Sequence, residues 1–114
     1  MSDCLFCKIV NDEIPARKVF ENEHVLAFHD IAPQANVHIL IIPKKHLATM
    51  NDLTAEDAHL MGEIHLAAKQ LAEETGISES GYRLINNCGE DGGQVVFHIH
   101  YHLMGGEKLG RLNG

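Results

Sequence analysis

The chain has 114 residues, 45% of them hydrophobic and 22% charged, with a formal net charge of −7. That length suits one domain with a real core, so a single domain over residues 1–114 is expected. The acidic balance argues against a nucleic-acid polymer or an anionic membrane as partner, because both call for a basic patch, and no apolar run is as long as a membrane span.

In chain order, the opening M-S-D-C-L-F-C has no basic stretch followed by an apolar one, and three cysteines make an odd set. Both point to the cytoplasm, with thiols reduced or on a metal. Asp3 is placed to cap a short helix through about Val10, with Leu5, Phe6 and Ile9 as its apolar stripe. Cys4 and Cys7 form a C-x-x-C, which is two small buried residues or half of a zinc site that histidines such as His46 must complete.

Lys18 to Glu21 and His24 to His29 read as a strand pair, closed by Asp30 and Pro33. Asp30 suits either an Asx turn or a ligand for two ribose hydroxyls. Val37 to Pro43 is a near-continuous apolar run, hence a central strand, with His38 as its polar exception. Thr54 and Asp57 make a capping box for a long helix from about Ala55 to Thr75, closed by Gly76. His59 and His65 fall on its surface with no role. Gly81 to Asn86 is a fourth strand. Asn87 to Gln94 is a turn-rich loop whose glycines let backbone N–H groups approach a phosphate.

Val95 to Gly106 reads V-V-F-H-I-H-Y-H-L-M-G-G. His98, His100 and His102 alternate with apolar residues, the pattern of a fifth strand with three imidazoles on one face, about 6.6 Å apart. Such a row is costly for stability alone, since each ring nitrogen needs a partner. The alternatives are zinc on the three histidines, or covalent catalysis with one imidazole as nucleophile. Glu107 to Gly114 is a polar tail, expected to order only on a dimer partner.

H-I-H-Y-H-L-M resembles the histidine-triad (HIT) pattern, with Tyr101 as an apolar position. F-H-D-I-A-P-Q-A, H-I-L-I-I-P-K-K-H, G-Y-R-L-I-N-N and D-G-G-Q-V-V-F extend the likeness to the nucleotide-binding branch of that family. The resemblance implies an α+β fold: a five-stranded antiparallel sheet with one long and one short helix, continued across a homodimer. It implies hydrolysis of purine nucleoside 5′-phosphoramidates, or related adenylates, at the α-phosphate, with a purine nucleotide such as AMP as ligand. His100 would be the nucleophile and His102 a proton donor to phosphate or leaving group, while His98 and His38 would hold neighbouring rings. Asn87, Gln94 and Val95 would lie at the phosphate, Asp30 at the ribose, and Leu5, Phe6, Ile9, Phe28 and Ile31 around the base, or all five would be ordinary core. Cys4, Cys7, His46 and His98 would hold a structural zinc; no organic cofactor is implied.

Two departures stand out. Val95 occupies a position that is commonly serine in the branch, and valine has no hydroxyl to donate. The tail K-L-G-R-L-N-G lacks the tryptophan-containing ending of some members. Both favour the second expectation, a nucleotide-binding scaffold with little turnover.

Overall fold

The structure, a computed structural model, describes residues 3–112. Helix α1 (Leu5–Val10) leads into strands β1 (Lys18–Glu21), β2 (Val25–His29) and β3 (Val37–Pro43), then helix α2 (Ala58–Glu74), β4 (Tyr82–Asn86) and β5 (Tyr101–Gly105). The strands form one five-stranded sheet in the order β1-β2-β3-β5-β4, with every neighbouring pair antiparallel. The expected α+β architecture is therefore present, and β3 is its central strand.

Both faces of the sheet are covered, which explains why β2 and β3 read as continuous apolar runs. On one face Ala27, Ile39, Ile41 and Leu103 pack against Leu60, Ile64 and Leu71 of α2. On the other, Leu26, Phe28, Leu40 and Ile42 pack against Phe6 and Ile9 of α1. Each fully buried Leu, Ile or Phe contributes about 1.5–3 kcal/mol, so the larger α2 core dominates stability. The candidate site histidines lie on the α1 side.

Both helices start differently from expectation. Cys4, not Asp3, caps α1, its Sγ accepting from Cys7 N at 3.3 Å. The Thr54–Asp57 capping box forms, but it opens a 3-10 turn over Ala55–Asp57, and the α-helix starts at Ala58. The helix ends as expected at Gly76, whose φ of 79° lets Ile77 N reach Ala72 O at 3.0 Å.

The largest correction concerns the histidine strand. Only Tyr101–Gly105 is ladder; residues 95–100 are an irregular run outside it, with a bend over 96–98. The ladder stops at Tyr101, where β4 ends, although β3 runs on for two more residues. On one side β4 ends at Asn86, opposite Tyr101; on the other β3 approaches Pro43, which has no N–H to donate. The alternation nevertheless persists, with Ile99, Tyr101 and Leu103 buried toward α2 and the three histidines on the α1 side.

Candidate active site and metal cluster

The site begins with Phe6, whose ring stands edge-on to His98 (centroids 5.9 Å apart), His100 (5.1 Å) and Phe28 (5.6 Å). This seats the histidine run against α1. Phe6, Ile9 and Phe28 are buried core, whereas Leu5 and Ile31 are exposed, Ile31 completely. The five residues expected around a base therefore divide, and Leu5 and Ile31 are not core.

Carbonyl acceptors decide which ring nitrogens carry protons. His100 is buried, and its Nδ1 lies 2.8 Å from the carbonyl of His98. A carbonyl only accepts, so Nδ1 holds the proton and the lone pair is at Nε2. Asn86 Oδ1 is the single buried side-chain N or O atom without a partner among the described residues, so the unbonded His100 Nε2 opens to solvent. That lone pair has no hydrogen-bond partner among the described residues. His98 thus aligns His100 through its backbone carbonyl, whereas its ring points elsewhere.

A second chain of bonds sets His102. Gln34 N donates to His38 Nδ1 at 3.0 Å, so His38 carries its proton on Nε2. That nitrogen donates to His102 Nδ1 at 2.9 Å, which leaves the His102 proton on Nε2. His38 therefore sets the orientation and tautomer of the His102 ring. Burial first, then His100 and His38, push the His102 pKa down to about 4, against the opposing pull of Asp30. His102 is accordingly neutral at pH 7, and it donates by tautomer rather than by charge.

Asp30 forms the Asx turn and also faces His38. Oδ1 takes Ala32 N at 2.7 Å in an Asx turn, and Oδ2 lies 3.4 Å from His38 Nε2. Asp30, His38 and His102 cluster closely enough to suggest a metal. The chemistry rejects one: with Nδ1 engaged by Gln34 N–H, His38 must keep its proton on the nitrogen a metal would need.

The loop before the run is held from inside. Buried Gln94 donates through Nε2 to Ala48 O (2.7 Å) and Val96 O (3.0 Å), and its Oε1 accepts from Gly89 N at 2.8 Å. Its polar atoms brace the loop. Gly92 has no room for a Cβ, which would meet Cys88 O at 2.5 Å, and Gly93 sits at φ 88°. Asn87 is half-buried at the loop start, and Val95 is exposed.

Cys4, Cys7, His46 and His98 converge beneath the run. His98 donates from Nε2 to Pro43 O at 2.8 Å, which turns the Nδ1 lone pair toward the sulfurs. Nδ1 lies 3.4 Å from Cys4 Sγ, 3.6 Å from Cys7 Sγ and 3.2 Å from His46 Nδ1, while Cys7 Sγ lies 3.3 Å from His46 Nδ1. Ligand bonds of about 2.3 Å to sulfur and 2.0–2.1 Å to nitrogen set tetrahedral edges of about 3.5 Å for S···N and 3.3 Å for N···N. The four donors fit a tetrahedral zinc ion. Burial and Cys4 raise the Cys7 pKa to about 11, so this thiol keeps its proton until a cation displaces it. The three triad rings do not converge on one point, because His98 belongs to this cluster, His102 to the Asp30 cluster and His100 to neither.

Comparison with known proteins agrees with this geometry. The HIT domain model matches residues 11–109. A protein of Escherichia coli K12 named purine nucleoside phosphoramidase is 48% identical over 108 residues, covering 95% of this chain and 91% of that protein. The crystal structure of a HIT family hydrolase from Legionella pneumophila superposes with a TM-score of 0.95 at 54% identity, covering 98% of this chain and 100% of that one. A histidine triad protein from Clostridium difficile gives a TM-score of 0.94 at 47% identity, with 97% and 96% covered. Motif, fold and site geometry converge with these likenesses: the chain belongs to the HIT family.

Proposed function

We infer that the protein hydrolyses purine nucleoside 5′-phosphoramidates, or related adenylates, to the nucleoside monophosphate through a nucleotidyl-histidine intermediate. The observation that carries this is the His100 tautomer: a proton held on Nδ1 by the His98 carbonyl, with an unbonded Nε2 open to solvent. Nε2 attacks the α-phosphorus, an N–P bond forms and the bond to the leaving group breaks. His102, neutral and carrying its proton on Nε2, hydrogen-bonds a phosphate oxygen. Val95 offers no hydroxyl, so the departing amine takes its proton from water. A second water then breaks the His100–phosphorus bond and releases the monophosphate. Asp30 Oδ2 takes the ribose, Phe6 and Phe28 form the floor of the base site with exposed Leu5 and Ile31 at its rim, and Asn87 and the Gln94-braced loop approach the phosphate.

Cys4, Cys7, His46 and His98 hold a structural zinc, which ties α1 to the histidine run; four protein ligands leave it no open position for water. The chain forms one domain over 1–114 and pairs as a homodimer in the cytoplasm. Among the described residues no helix is long and apolar enough to cross a membrane.

The test is intact-protein mass spectrometry after brief mixing with adenosine 5′-phosphoramidate. The expected result is a one-adenylate adduct that is absent in His100→Ala, together with loss of product formation. Wild-type activity in His100→Ala overturns the assignment. Nucleotide binding with neither adduct nor product turns the reading to the binding scaffold.

A further inference from the structure

The backbone of His100 is held by a residue not yet assigned a part. His100 stands one position before the ladder begins, since β5 joins it at Tyr101 opposite Asn86, the last residue of β4. Its carbonyl would be left without a strand partner. Instead it accepts a 3.0 Å hydrogen bond from the side-chain Nδ2 of Asn86. A side-chain amide thus extends the ladder by one bond, to the residue that carries the nucleophile. With the ring tied by Nδ1 to the His98 carbonyl, both the main chain and the imidazole of His100 are fixed.

The other end of the same amide has no partner. Asn86 Oδ1 is buried without a hydrogen bond, alone in this among the side-chain N and O atoms of the described residues. A bare buried carbonyl oxygen costs stability, and asparagine is a poor strand former. A leucine would fill the space without that cost. An unfavourable residue at the end of the strand beside the nucleophile is the pattern of stability given up for function.

We propose that Asn86 is a positioning residue that sets His100 Nε2 for attack on phosphorus. This rests on His100 being the nucleophile. An attacking atom displaced by about 1 Å loses up to about a hundredfold in rate.

The test is Asn86→Leu, which removes the donor and the bare oxygen together. The rate of nucleotidyl-enzyme formation in single turnover, and kcat with it, is expected to fall about ten- to a hundredfold. KM and nucleotide affinity stay unchanged, and Tm equals or exceeds that of the parent. A merely structural Asn86 predicts the opposite: Tm falls, and the rate follows the folded fraction. That result, or a wild-type rate in the folded variant, overturns the proposal. Asn86→Asp keeps the shape but sets an acceptor against the His100 carbonyl. It must also slow the reaction while folded, and it gives the reading if the leucine variant does not fold. His100→Ala in the same assay separates the two levels. Activity retained there defeats the nucleophile assignment and this proposal with it. Activity lost there but unchanged in Asn86→Leu defeats this proposal alone.

Discussion

His102 is where burial and proton placement act together. It titrates near 4 in the fold, against an ordinary value of 6.5. His38 is lowered as well, again by burial first, with Asp30 opposing. Between about pH 6.5 and 4 the unfolded chain binds protons that these folded rings refuse, so stability falls as pH drops through that window and is level above it. Thermal unfolding followed from pH 8 to 4 is expected to show that fall, with a shallower slope in His102→Gln. An unchanged slope in the variant overturns the account. The alternation of residues 98–102 told which face the rings share. It could not tell which nitrogen holds each proton, because that depends on the backbone N–H of Gln34 and the carbonyl of His98, which no side-chain pattern encodes. The internal bracing by Gln94 was not legible either, for the same reason.

At the scale of elements, α1 depends on what it touches. Six residues cannot form a stable helix alone, and only Phe6 and Ile9 of α1 are buried. The cysteines at its start meet His46 from the loop after β3 and His98 from the run before β5. The His46 loop is itself anchored, since Lys45 Nζ reaches Asp57 Oδ1 at 2.7 Å and Asp57 Oδ2 closes the Thr54 capping box. One carboxylate therefore fixes both the start of the helical segment and the loop that carries His46. Native mass spectrometry is expected to give one zinc per chain, with Cys4→Ser losing the metal and lowering Tm. Hydrogen exchange in that variant should rise first at the α1 amides while β3 stays protected. A zinc-free parent with the same Tm as Cys4→Ser overturns the structural-zinc reading. The C-x-x-C was readable from spacing, His46 only as a candidate that the family resemblance completed, and the length of β5 was not readable. Period-two alternation continues through residues 97–100, but a ladder needs partners, and Pro43 and Asn86 end the supply on either side.

At the scale of the molecule, the two edges of the sheet differ. β1 is four residues long, carries Lys18 and Glu21 at its ends and is interrupted by a register shift between Lys18 and Phe20. Bulges and charges of this kind block further pairing. β4, at the other edge, keeps regular register from Tyr82 to Asn86 with Leu84 and Ile85 within it, and Tyr82 is exposed. β4 carries one charge, Arg83, but no register shift, so it is the more open edge, and an antiparallel pair of β4 strands is self-complementary about a two-fold axis. The homodimer should therefore form through β4, with the sheet continuing across it. The start of the tail bears on this geometry. Glu107 Oε1 accepts from Asn36 N at 2.8 Å and Asn36 Nδ2 donates to Gly106 O, so the chain leaves β5 pinned to its own domain. Of the segment expected to order only on a partner, Glu107 is thus already fixed within its own chain, and residues 113–114 lie outside the described ones. Sedimentation equilibrium is expected to give twice the 12.6 kDa chain mass. Tyr82→Lys, a charge on the open edge, should weaken the dimer about tenfold, which corresponds to about 1.4 kcal/mol. Val19→Lys on the blunted edge should leave the association unchanged. A monomeric parent removes the dimer, and equal weakening by both substitutions assigns the interface to some other surface than β4.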